Sequence, residues 1–285
     1  PSLKGGFFSY RNGWLGYTPV MAFAIVGLFC LKNKIKEAVL PVWTIFLLHV
    51  YIIYSWWCWY YLNGLGSRPM IDVYPLLALP LAAFFSWSLS ARWLSLATTL
   101  AVVFCSWLNL IYTWQTHEGI LLSELTKKNY FWYIFGKTQA TRQTLTTFYT
   151  EEPQPDSTRL TFVKKLCTQG MEDSTDTAYK SAKRREGRFA LQMKDLEFSP
   201  NCLPPNPAED LKPGDWLRVS VSGFVATQDK IWDFQKCAKL VIDLHDPSDK
   251  YRKWCAVPVS AFIGNRDWSI WFAGQPERWG EASMF

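Results

Sequence analysis

Only nine charged residues precede Glu118 in this 285-residue chain: Lys4, Arg11, Lys32, Lys34, Lys36, Glu37, Arg68, Asp72 and Arg92. All the others among its 30 Lys and Arg and 24 Asp and Glu come later. A step of this kind marks a change of solvent, from lipid to water. The mean hydropathy of −0.04 conceals the step by averaging two unlike halves.

The uncharged region divides into apolar runs at about Trp14–Leu31, Ala38–Tyr54, Tyr74–Leu89 and Trp93–Trp114. A helix crossing ~30 Å of hydrocarbon needs about 20 apolar residues, with ~17 tolerated. The pattern predicts a polytopic α-helical membrane domain of about four transmembrane helices over residues 1–115. Thr18 followed by Pro19 reads as an N-cap and a first helical position. Lys32, Lys34, Lys36 and Arg92 crowd the two shortest connections, which places those connections in the cytoplasm and everything after Trp114 outside it. Trp56, Trp57, Trp59, Tyr60, Tyr61, Trp107, Tyr112 and Trp114 gather at span ends. Amphipathic rings favour that headgroup level, and a substrate cleft is the other role open to them.

Residues 116–158 read as a connector and linker. Leu121, Leu122, Leu125, Tyr130, Phe131, Trp132, Ile134 and Phe135 alternate with Lys127, Lys128 and Lys137, as in amphipathic helices lying on a membrane surface. Gly136 is a helix stop. From Arg159 the apolar period becomes two. Runs at Phe189–Met193, Trp216–Val221, Lys239–Leu244, Trp254–Val259 and Trp268–Phe272 predict an all-β antiparallel sandwich over 159–285. A further strand begins at Ala282–Phe285, so the natural protein is expected to continue by about one strand. Pro1 opens on a loop-like stretch with neither initiator Met nor signal peptide, as in a piece of a longer protein.

Basic and acidic residues nearly balance after His117. That balance leaves no electrostatic footprint for nucleic acid. None of the seven cysteines is spaced as CxxC, so no zinc site is expected. Cys237 and Cys255, in neighbouring predicted strands, are candidates for a disulfide if the domain is extracytoplasmic.

Charges at a membrane edge are costly and mark candidate sites. Arg11 stands at the mouth of the first span, and Arg68 and Asp72 at the mouth of the third. Guanidinium groups grip phosphate oxygens in a two-pronged fork, and nearby glycines let backbone N–H groups approach the same anion. Arg11 and Arg68 are therefore candidates for holding a lipid-linked phosphate, with Asn12, Ser67, Asp72 and Tyr74 lining a substrate cleft. The plainer alternatives are a lipid headgroup for Arg11 and an Arg68–Asp72 ion pair. His49, inside the second run, reads as a hydrogen-bonding partner of a neighbouring helix.

Residues 8–19, FSYRNGWLGYTP, and 56–80, WWCWYYLNGLGSRPMIDVYPLLALP, resemble segments of bacterial polytopic glycosyltransferases that use polyprenyl-phosphate sugars. That superfamily, with the C-type glycosyltransferase fold, includes the protein O-mannosyltransferases and the lipid A aminoarabinose transferases. The resemblance covers about residues 5–115. It implies the C-terminal half of such an enzyme, embedded in the bacterial inner membrane. The implied reaction transfers a sugar from a polyprenyl-phosphate carrier to an extracytoplasmic acceptor. The family's catalytic carboxylate belongs to a loop upstream of this chain, so no catalytic residue is assigned here. No cofactor is implied, and a divalent metal requirement stays open. The second half resembles jelly-roll modules similar to carbohydrate-binding modules. Trp216, Trp232, Trp254, Trp268, Trp271 and Trp279 are then candidates for stacking on a glycan, against core packing as the plainer role. The competing reading is a non-enzymatic membrane-anchored module that binds glycan or protein. A transporter ranks behind both, because paired Gly/Pro-broken helices are absent.

Overall fold

A computed structural model describes residues 1–62, 64–152, 154–155, 159–162, 164–170, 180–181, 185, 190–191, 212, 214–225, 238–245, 250–271 and 275–285. The chain divides into two compact units, Pro1–Glu151 and Glu152–Phe285.

The first unit is helical. Its elements are α1 (Leu3–Phe8), α2 (Trp14–Tyr17), α3 (Met21–Cys30), α4 (Val39–Ser55), α5 (Tyr74–Ser88), α6 (Arg92–His117), α7 (Lys128–Ile134) and α8 (Arg142–Thr150). Counted with the 3-10 turns that lead into α4 and α5, three helices among the described residues are long and apolar enough to cross a membrane: Lys36–Ser55, Arg68–Ser88 and Arg92–His117. Leu47, Ile52, Leu96, Leu100, Val103 and Leu110 on these helices are each more than half exposed. So much uncovered apolar surface matches hydrocarbon better than water.

The first predicted span is corrected. The run from Trp14 to Leu31 is two helices rather than one, and the apolar helix Met21–Asn33 is too short to count with the three. Pro19 is the cause. The residue before a proline is driven out of the helical region, and Thr18 has φ −132° and ψ 63°. Thr18 therefore closes α2 through its N–H to Trp14 O, and α3 starts afresh at Met21.

α3 packs along α5. Phe23 and Phe84 stack with centroids 5.0 Å apart. Trp14, Ala24, Leu28, Leu31, Met70 and Leu77 fill the core between these helices and α4. His49 meets the carbonyl of Pro69 at 3.0 Å, at the foot of α5. The α5–α6 turn is closed by Ser90, whose N–H and hydroxyl both donate to Trp87 O.

Residues 118–150 fold onto this unit. Tyr130 and Ile134 of α7 bury against Leu108 and Tyr112 of α6, together with Tyr17, Ile120 and Leu121. Gln115 fastens the helix by donating to Ile134 O and Lys137 O at 2.7 and 2.8 Å. α7 ends at Phe135, and Gly136 has φ +77°, a conformation glycine adopts without strain. α8 opens on a capping box between Thr141 and Thr144.

The second unit contains antiparallel β structure. Its described strands are β1 (Lys180–Ser181), β2 (Ala190–Leu191), β3 (Val219–Val225), β4 (Lys239–His245), β5 (Tyr251–Pro258) and β6 (Arg278–Met284). They pair as β1–β2, β3–β6 and β4–β5. Gly223 faces Gly280 across β3–β6, and Ile263, fully buried, packs on both glycines.

Three expectations change here. The strand expected to begin at Ala282 runs from Arg278 and pairs along its whole length with β3. The strand expected at Trp268–Phe272 is a turn over its described part, with Trp268 at φ +53° and Asn265 donating to Ala261 O and Ser269 O. Phe272 lies outside the described residues, as do parts of the Phe189–Met193 run. The Cys237–Cys255 disulfide is not formed: Cys255 is in no disulfide, whereas Cys167 is disulfide-bonded. Cys237 lies outside the described residues.

Candidate functional site

The site builds up from the backbone of one loop. α4 and α5 are joined by residues 56–73, and this loop meets the α1–α2 segment and the stretch after α6 at one end of the helices. Asn12 is the clasp. It is 1% exposed and adopts φ +53°, a region that Asn tolerates better than most residues. Its Nδ2 donates to Tyr60 O at 2.6 Å and to Tyr61 O at 2.7 Å. Its backbone N–H donates to Ser123 O at 3.2 Å. Ser123 returns the contact by donating its hydroxyl to Gly64 O at 3.0 Å. Three segments far apart in sequence are thereby locked together.

Arg11 lies beside the clasp and is half-buried. Its guanidinium stands 3.6 Å from the centre of the Tyr60 ring. Its Nε donates to Glu124 O at 2.5 Å, and its backbone N–H donates to Ser9 Oγ. No carboxylate pairs with it among the described residues. Arg68 opens the 3-10 turn Arg68–Val73 and is exposed. Its aliphatic stem lies flat on Gly64; a Cβ at Gly64 would come within 2.2 Å of Arg68 Cδ. Arg11 and Arg68 are thus gathered at the same loop, one over Tyr60 and the other against Gly64.

The remaining candidates separate. Ser67 is buried, with its Oγ 3.1 Å from the Tyr54 hydroxyl. Tyr74 accepts from Trp14 Nε1 at 3.2 Å. Both are tied into the wall between α1, α2, α4 and α5. Asp72 is exposed, and no ion pair joins it to Arg68 among the described residues.

Phenols brace the site. Burial pushes the Tyr17 and Tyr130 hydroxyls far above the usual phenol range, so both remain donors. Tyr17 donates to Tyr10 O and Tyr130 to Ile120 O, each at 2.6 Å. Among the described residues no three His, Cys, Asp or Glu side chains converge as a metal site.

The sequence offers Tyr60 a cleft role only as one ring among eight, and it does not mark Ser123 or Glu124 as members of this site. Glu124 is the one charged side chain that is buried among the described residues. The local signal was an acid inside the apolar stretch Ile120-Leu121-Leu122-Ser123-Glu124-Leu125. On the second unit, the candidate tryptophans Trp216 and Trp254 are about half exposed, while Trp268, Trp271 and Trp279 are partly covered. Trp232 lies outside the described residues. No protein-family model, curated protein or solved structure matches the chain.

Proposed function

We propose that this chain is the membrane-embedded, carrier-binding part of a glycosyltransferase that moves a sugar from a polyprenyl-phosphate carrier to an extracytoplasmic acceptor. The observation that carries this reading is Arg11. Its guanidinium is held in place by Tyr60 and Glu124 O, yet no ion pair joins it to a protein carboxylate among the described residues. A fixed cation at the end of three apolar helices suits an anion that arrives through the bilayer. A phosphate with an isoprenoid tail has that chemistry. Arg68 on the same glycine-bearing loop supplies a second guanidinium. Together they offset the negative charge that grows on the phosphate as the sugar leaves. No described residue is assigned as the base that activates the acceptor.

The site end of the helices is then extracytoplasmic, and Lys32, Lys34, Lys36 and Arg92 face the cytoplasm of a bacterial inner membrane. The disulfide at Cys167 supports an oxidising compartment for the second unit. Its antiparallel pairs and the Gly223–Gly280 packing slot suit a jelly-roll sandwich. The test is photolabelling with a polyprenyl phosphate that carries a diazirine near its head. Adducts on peptides from 8–17, 60–68 and 120–126 support the site; adducts confined to the opposite helix ends reject it.

One observation favours the second reading, a membrane-anchored glycan-binding module. Asp243 is the cross-strand partner of Trp254 and lies 3.2 Å from His245, whose ring meets Tyr251 at 6.3 Å. An exposed indole beside hydrogen-bonding groups can stack on a sugar face. Glycan binding by Glu152–Phe285 that Trp254→Ala abolishes, without carrier binding by the first unit, would favour this reading over the enzyme.

A further inference from the structure

α7 has two apolar faces: one is buried by protein, and the other stays largely exposed among the described residues. Tyr130 and Ile134 are buried against α6. On the other side Trp132 is 56% exposed and Phe135 39%, with their rings 5.6 Å apart. Lys128 stands one turn before Trp132 and is exposed. Lys137 follows Phe135, its ammonium 3.3 Å from the centre of the Tyr133 ring. An aromatic pair between two cations is the composition of a helix lying in a lipid headgroup layer.

The position of α7 agrees with its composition. It packs beside Leu108, Tyr112 and Gln115, in the last turns of α6, rather than beyond the helix end. Trp107 and Trp114 of α6 are themselves about half exposed, and Trp114 donates to Thr138 O just after α7. The exposed rings of α6 and α7 therefore lie in the zone where a spanning helix leaves the hydrocarbon.

α7 is also linked to the arginine site. Trp132 Nε1 donates to the Tyr10 hydroxyl at 3.1 Å, and the Tyr10 ring lies 5.1 Å from that of Phe131. Arg11 is the next residue.

We infer that α7 is an interfacial anchor: Trp132 and Phe135 enter the headgroup–acyl boundary of an anionic bilayer, Lys128 and Lys137 meet its phosphates, and Tyr10 holds Arg11 at that depth. This rests on the reading that the three long helices cross a membrane. It adds a height for the site, placing Arg11 where the phosphate of a membrane-borne carrier lies.

The test uses the full chain in nanodiscs of phosphatidylglycerol and phosphatidylcholine. Benzoylphenylalanine replaces Trp132 in one protein and Leu100, exposed midway along α6, in another. After illumination, mass spectrometry identifies the adducts. Lipid adducts at both positions are the expected result. A lipid adduct at 100 with none at 132, or an adduct from 132 to residues 152–285 or to a second chain, overturns the anchor alone. No lipid adduct at either position overturns the membrane reading and the anchor with it.

Discussion

The Arg11 guanidinium lies 3.6 Å from the centre of the Tyr60 ring while its Nε donates to the carbonyl of Glu124, 113 residues away. The ring fixes the plane of the fork, and the carbonyl fixes its direction. Tyr60→Phe should keep that geometry and Tyr60→Ala should release it, with a loss of about 1 kcal/mol from the cation–π contact. Carrier-phosphate affinity, measured for both variants, should fall only in Tyr60→Ala. An equal fall in both would assign the effect to the phenol hydroxyl rather than the ring.

Asn12 closes the loop through two side-chain bonds and a left-handed backbone. Asn12→Ala leaves two carbonyls without their donor and strains φ. A loss of about 2 kcal/mol or more is expected in detergent unfolding. Asn12→Gly loses the same bonds but keeps the backbone at ease, so it should retain about 1 kcal/mol of that loss. Equal destabilisation by both variants would show that the φ of Asn12 carries no cost.

Gly27 and Pro80 set how closely α3 and α5 approach. A Cβ at Gly27 would stand 1.9 Å from the Pro80 carbonyl oxygen, which is backbone and cannot swing away. Gly27→Ala should therefore separate the helices and cost about 1–3 kcal/mol by overpacking. Gly16 is the control: its Cβ would meet only Ser9 O, at 3.6 Å. Thermal melting should distinguish the two variants, and indistinguishable curves would contradict the close approach.

Lys253 donates to Glu152 Oε1 at 2.5 Å. That hydrogen bond, partly opposed by desolvation and aided by the carboxylate's charge, raises the lysine above its ordinary value. A raised lysine adds stability that is fully present below its unfolded value, about 10.4, and is lost as pH rises through the folded value. Both side chains are more than a third exposed, so the effect is small and screened by salt. Glu152→Gln should flatten the alkaline loss of stability at low ionic strength. An unchanged slope would remove the pair from the balance.

The apolar runs fixed the long helices closely. Ala38–Tyr54 and Tyr74–Leu89 became Val39–Ser55 and Tyr74–Ser88; Pro75 falls in the first turn of α5, where its missing N–H is no loss, and Pro80 is carried inside the helix. The first run failed at Thr18-Pro19, where local sterics overrode hydropathy. At Trp268 the apolar pattern predicts a strand, but Asn265 donates to two carbonyls there and turns the chain. The arginines announced themselves as charges in uncharged surroundings. Their partners did not: Tyr60 looked like one belt residue among several, and Glu124 takes part through its carbonyl, which leaves no local pattern.

Equilibrium binding of a polyprenyl phosphate to the purified chain is the most direct measurement. Wild type, Arg11→Lys, Arg68→Lys and Arg92→Lys should be compared in one lipid composition. Each lysine keeps the charge and loses the fork. Affinity roughly tenfold weaker for Arg11→Lys and Arg68→Lys, with Arg92→Lys at the opposite helix end unchanged, is the expected result. Equal affinity in all four proteins would contradict a phosphate site at Arg11 and Arg68.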